Sequence, residues 1–190
     1  MNRAFAPVAL ALTLSACGIN SVPTAEENAK ARWADVQAQY QRRADLIPNL
    51  VATAKGAAGF EERTLTNITE ARSRAGSVQL SPEQLSDPNA VQRFAAAQSA
   101  LSLAIRPLQE AYPQLQSQGN FKTLMDQLEG TENRINIAIR DYNTAVQAYN
   151  TRIRTFPDAI GARVIHGAKP LTPFQAVTPG AERAPQVNFG

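Results

Sequence analysis

The sequence predicts an all-α protein: an elongated antiparallel bundle of about four helices with an extended C-terminal tail. Three observations lead there. Apolar residues recur in steps of three and four along most of the 190-residue chain, the spacing that lines one face of a helix. No segment alternates apolar and polar residues with period two, so nothing argues for a sheet. Prolines and glycines crowd the end, where five of the twelve prolines follow residue 156 together with Gly161, Gly167, Gly180 and Gly190.

The elements follow in chain order. Met1-Asn2-Arg3 precedes an apolar run from Ala4 to Ala16, broken only by Pro7, Thr13 and Ser15. A short positive start followed by about 7–15 apolar residues is the pattern of a secretory signal, and it falls short of the roughly 20 apolar residues that span a bilayer. The run ends in Leu14-Ser15-Ala16-Cys17-Gly18, which resembles the lipobox of bacterial lipoproteins. Small residues suit a peptidase pocket, and the Cys17 thiol is the acyl acceptor. Residues 1–16 are therefore read as a signal peptide and Cys17 as the lipidated N-terminus that attaches the protein to a membrane. Gly18, in place of Asp, favours the outer membrane where there are two. Residues 17–23 read as a tether.

Thr24-Ala25-Glu26-Glu27 has the form of a capping box, so the first helix is expected to start there. Its stripe is Ala29, Trp33, Val36, Tyr40, Ala44, Ile47, Val51 and Ala54, and Pro48 should kink or divide it. A second helix is expected from about Glu61 to Ala75, with Leu65, Ile68 and Ala71 inward. Residues 76–88 read as a loop. The third helix begins near Asn89, with Val91, Phe94, Gln98, Leu101, Ile105, Leu108, Tyr112 and Leu115 on its stripe. Asn120 is a plausible N-cap for the fourth, whose stripe runs through Leu124, Leu128, Thr131, Ile135, Ala138, Tyr142, Val146, Tyr149, Ile153 and Phe156. The bundle is thus placed at 24–156. Residues 157–190 are expected to be extended and mobile unless docked, and to be removable without unfolding the bundle.

Composition excludes several chemistries. The chain is 44% hydrophobic and 18% charged, a globular balance. Its net charge of +3 comes from 19 basic and 16 acidic side chains without a basic cluster, so nucleic acid is not an expected partner. The single Cys and single His exclude a disulfide framework and a paired-His metal site. No paired Glu-x-x-His motif and no phosphate-binding Gly-rich loop occurs, so neither metal nor cofactor is expected.

Two polar sets invite attention. Arg42, Arg43, Asp45 and Asn49 flank Pro48, while Glu132, Asn133, Arg134, Asn136, Arg140, Asp141, Tyr142 and Asn143 lie on the fourth helix. If those helices pack, the sets could meet. They could form a binding groove, or they could set helix register and satisfy the carbonyl freed by Pro48, and the second reading is favoured. Asn136, Asn143 and Asn150 recur every seven residues and form one line. Trp33, Tyr40, Tyr112, Tyr142 and Tyr149 read as core residues.

The segment Arg42-Arg43-Ala44-Asp45-Leu46-Ile47-Pro48-Asn49-Leu50-Val51 resembles the signature of the LemA family. The likeness continues through Ala71-Arg72, Ala111-Tyr112-Pro113, Asn120-Phe121 and Gly130-Thr131-Glu132-Asn133-Arg134-Ile135, then Arg140, Tyr142-Asn143, Tyr149-Asn150 and Phe156-Pro157. In the tail it includes Lys169-Pro170, Phe174, Gly180-Ala181, Pro185, Val187 and Phe189. The resemblance implies a membrane-attached, extracytoplasmic helical bundle with no agreed enzymatic activity. Family members commonly begin with a transmembrane helix, whereas this chain carries a lipoprotein-type signal. The expectation is a lipid-anchored, non-enzymatic interaction module of the bacterial envelope that binds another envelope protein. The alternatives are a homo-oligomeric spacer and an unrecognised envelope hydrolase.

Overall fold

The structure is a computed structural model that describes residues 5–56, 62–110 and 119–175, with the side chains of 5–19, 109 and 110 outside the description. It is an all-α bundle without a strand among those residues. Helix α1 spans Phe5–Lys55, α2 Glu62–Ser77, α3 Pro88–Glu110, α4 Gly119–Arg152 and α5 Asp158–Val164, with a 3-10 turn at Pro82–Ser86 before α3. Asp87 caps α3 by accepting the backbone N–H of Asn89 at 2.9 Å, and Pro88 follows at a position where no intrahelical N–H is needed.

The stripes become the core. Leu65, Ile68, Ala71 and Ala75 of α2 are buried, as are Val91, Phe94, Gln98, Leu101, Ile105 and Leu108 of α3 and nearly every stripe residue of α4. Tyr112 and Leu115 lie outside the described residues. The apolar core forms two clusters. The first contains Val22, Trp33, Tyr40, Phe94, Tyr142, Tyr149 and Phe174, the second Ile47, Leu50, Ile68, Leu101, Phe121 and Leu128. Helix α1 passes from the first cluster to the second and α4 returns, so the two pack antiparallel. Helix α3 runs in the same direction as α1, with α2 packed on both.

Four expectations change. Residues 17–23 are helical, and Thr24 lies inside α1, where its hydroxyl donates to the Asn20 carbonyl at 2.7 Å instead of capping a terminus. A capping-box pattern does not end a helix when the residues before it are helical too. Second, α1 continues through Pro48. Proline lacks the N–H that would bond the Ala44 carbonyl. Arg72 of α2 supplies the missing donor, its Nε reaching that carbonyl at 2.8 Å, so the proline sits on the exposed face of an unbroken helix.

Third, Phe156 does not extend the α4 stripe inward; it is exposed. Fourth, residues 158–175 do not stand apart from the bundle: they begin with helix α5 and are docked, because Ala162, Leu171 and Phe174 belong to the first cluster. After α5, Gly167 turns the chain at φ +54°, a left-handed conformation that suits glycine, and the Ala168 N–H closes onto the Ala162 carbonyl at 2.9 Å. The chain then runs extended along α4. Residues 176–190 lie outside the description.

Candidate interaction site

The polar sets meet at one point. Arg43 is 1% exposed and occupies a core position of α1 between the two apolar clusters. Its Nη1 donates to Glu132 Oε1 on α4 at 2.8 Å and to Ser102 Oγ on α3 at 2.7 Å. Its Nη2 donates to the Gln98 side-chain oxygen at 2.7 Å and the Gln98 carbonyl at 3.1 Å. The guanidinium carbon sits 5.0 Å from the centre of the Tyr40 ring, within cation–π range. Gln98 also donates to the Ala75 carbonyl at the end of α2, at 3.4 Å. Thr131, the third buried polar side chain of the core, falls between Leu128 and Ile135 on α4 and bonds back to the Gln127 carbonyl at 2.8 Å. A polar layer joins the four long helices where one apolar cluster ends and the next begins. Sliding a helix by a turn would strand Arg43 among apolar groups, so the layer opposes changes of register. Burial holds the Tyr40 hydroxyl neutral, pushing its pKa up to about 12.

The remaining expected members stay apart. Arg42, Asp45, Pro48, Asn49, Asn133, Arg134, Arg140 and Asp141 are exposed. Asp45 accepts from Gln41 one turn away, at 2.8 Å. The carbonyls of Asn49 and Arg140 accept the hydroxyls of Thr53 and Thr144. The Cys17 side chain lies outside the description. Among the described residues no group of three His, Cys, Asp or Glu side chains is placed to hold a metal. A groove of about 620 Å³ between α2 and α3 is lined by Ala71, Ala97, Ala100, Leu103 and Ala104, with Arg74 as its charged member.

The line of asparagines does something else. Asn150 donates its amide to the Leu171 carbonyl at 2.8 Å and accepts the Leu171 N–H at 2.9 Å. Asn143 does the same for Phe174, at 2.9 and 2.8 Å. Tyr149 and Tyr142 donate to the carbonyls of Lys169 and Thr172, at 3.1 and 2.9 Å. On the other side, the Thr172 N–H reaches the Leu85 carbonyl at 2.8 Å. Between residues 170 and 174 every backbone N–H is thus bonded, and the two positions without one are Pro170 and Pro173.

The spacing explains the fit. Seven residues of helix advance about 10.5 Å. Three residues of polyproline-II chain advance about 9.3 Å and return to the same face. Leu171 and Phe174, three apart, are both buried, which a period-two strand would not allow. Phe174 lies against Trp33, Tyr40 and Phe94, with ring centres 6.1, 6.2 and 6.2 Å away. The Trp33 indole N–H is satisfied by the Leu80 carbonyl at 3.1 Å. Replacing Asn150 by Ala should leave the Leu171 N–H and C=O without partners, at a cost of about 1–3 kcal/mol. Amide exchange at Leu171 should rise, while the exposed Asn136→Ala leaves it unchanged.

The model of the LemA family matches residues 32–189, more than four-fifths of the chain. The chain belongs to the LemA family. The matched span holds both the polar layer and the asparagine line, so in this LemA protein the two features lie inside the family region and the lead-in before residue 32 lies outside it. No curated protein matches the chain. Sequence reasoning had the line of asparagines but not its partner. It missed Arg72 as the donor for Pro48, and it missed Ser102. The Ala71-Arg72 pair was visible, but nothing local in sequence connects it to a proline 24 residues earlier.

Proposed function

We propose that this LemA protein is a lipid-anchored, non-enzymatic interaction module of the bacterial cell envelope. Cys17 carries the anchor, and the bundle presents a backbone-reading rail to an extended peptide. The observation behind this reading is the pair of two-pronged contacts from Asn143 and Asn150 to the backbone of Phe174 and Leu171. Backbone pairing with pockets for spaced side chains is a general mode of peptide recognition. Here the chain's own segment occupies the rail. Asn136, the next member of the line, is exposed and continues the rail toward a partner. No helix among the described residues is long and apolar enough to cross a membrane, so on this reading Cys17 supplies the attachment.

The test is crosslinking from position 136 in intact membranes, read by mass spectrometry, beside the unlipidated Cys17→Ala chain. The expected result is a specific envelope protein captured only by the anchored form. Capture of nothing but further copies of this chain would replace the reading with a homo-oligomeric spacer.

A further inference from the structure

Large apolar side chains are exposed at one place in particular. Of the six such residues among those described, four fall within residues 156–165. Phe156 is 78% exposed, Ile160 60%, Val164 79% and Ile165 58%. The other two, Leu103 and Ile137, sit singly on α3 and α4, and isolated exposed apolar residues are ordinary. The four are not scattered. Ile160 and Val164 are one turn apart on α5 and share a face, while Ala162 between them points into the core.

This patch lies at the end of the bundle where α1 enters. Helix α5 packs on α1, and Ala162 shares its cluster with Val22. Arg152, at the end of α4, reaches the Ser21 carbonyl at 3.3 Å. Cys17 precedes Val22 by five residues, about 8 Å along a helix. The segment that carries the patch is basic, and on the neighbouring turn of α1 Glu26 and Glu27 are both paired with Lys30. Between residues 152 and 169 the chain carries Arg152, Arg154, Arg163 and Lys169 against one acidic residue, Asp158, which is paired with Arg152 at 3.5 Å. Arg154, Arg163 and Lys169 are exposed.

We infer that Phe156, Ile160, Val164 and Ile165, together with the exposed Arg154, Arg163 and Lys169 of the same segment, form a bilayer-docking surface that seats the anchored end of the bundle on anionic lipid headgroups. Apolar side chains that enter the headgroup boundary beside basic groups are the two components of interfacial binding. A lipid on Cys17 alone would leave the bundle free to swing. A second contact through α5 fixes which face meets the membrane and holds the rail at a set orientation. The inference rests on the anchoring reading of Cys17.

The experiment uses the full chain purified from membranes and reconstituted in phosphatidylcholine vesicles with or without phosphatidylglycerol. With Cys17 blocked by its lipid, Ile160→Cys or Ile137→Cys provides one free thiol for an environment-sensitive fluorophore. At position 160 the emission should shift to the blue and be quenched several-fold by lipid-borne quenchers, more so with phosphatidylglycerol. At position 137 it should do neither. Arg154→Glu with Arg163→Glu should abolish the dependence on phosphatidylglycerol. A lipidated, vesicle-bound chain whose position 160 stays in water overturns the docking surface alone. So does shielding at 160 that follows protein concentration and persists without vesicles, which would mean a second copy covers the patch. A chain recovered with a reactive, unlipidated Cys17 overturns the anchoring reading and the inference together.

Discussion

Replacing Arg43 by Ala is expected to destabilise the bundle by about 3–5 kcal/mol, the cost of removing one partner from a buried charged network. The side chain is almost wholly enclosed, and its loss would leave the Gln98 side-chain oxygen without its donor and open a void between two apolar clusters. Glu132 would suffer less, since its side chain is 42% exposed and water can replace the guanidinium. The neighbouring Arg42→Ala, on the exposed face, should change stability by no more than about 0.5 kcal/mol. Denaturant unfolding of the two variants is the check. A lowered midpoint at unchanged slope for Arg43→Ala, with Arg42→Ala at the wild-type midpoint, is the expected pair of curves. Equal midpoints would mean that the layer carries no net stability.

The second large effect is expected at Phe174, near the end of the described chain. Phe174→Ala should cost about 3–5 kcal/mol, as for a fully buried aromatic in a packed core. The residue closes an aromatic group assembled from α1, α3 and α4, in which Trp33 also meets Phe94 and Tyr142 at 5.3 Å. The chain has one tryptophan, so the emission of Trp33 reports this site alone. A red shift on Phe174→Ala, together with a lowered unfolding midpoint, is the expected outcome. Deleting residues 157–190 should be more severe still, because it also removes the burial of Ala162 and Leu171. A deletion variant as stable as the whole chain would show that the segment merely rests on the bundle.

Helical periodicity carried most of the fold. On α3 every stripe position from Val91 to Leu108 is buried, Gln98 included, and the stripe passes over only the small buried side chains of Ala90 and Ala95. On α1 the same rule, applied without regard to charge, would have revealed the polar layer. The buried positions Ala29, Trp33, Val36, Tyr40, Arg43, Ile47, Leu50 and Ala54 alternate steps of four and three. Reading the apolar Ala44 in place of Arg43 shifts the stripe by one and hides the charged member of the layer. The docking of the tail was hidden for another reason. Prolines and glycines show that Lys169–Phe174 cannot be a long helix, but only a partner surface decides whether such a segment is ordered. That surface was present in the sequence as Asn143 and Asn150, seven apart, and its match to residues 171 and 174 becomes visible only when helix rise and extended-chain rise are compared. Arg72 and the Ala44 carbonyl belong to two helices that meet only in the folded chain, so their bond leaves no local trace.

The contacts along α4 also set a grammar of substitution for the segment they hold. The hydrogen bonds that the asparagines and tyrosines make to this segment all end on main-chain atoms, so those bonds are indifferent to which side chain each position bears. What they forbid is the loss of a donor. Proline is admitted at 170 and 173, where no N–H is used, and barred at 171, 172 and 174, where each N–H is bonded. Bulk is demanded at 171 and 174, which face the core, and left open at 173, which faces water. A sequence that obeys those constraints can drift freely elsewhere and still lie in the same groove, so the segment's identity is written in where prolines stand and where apolar residues recur.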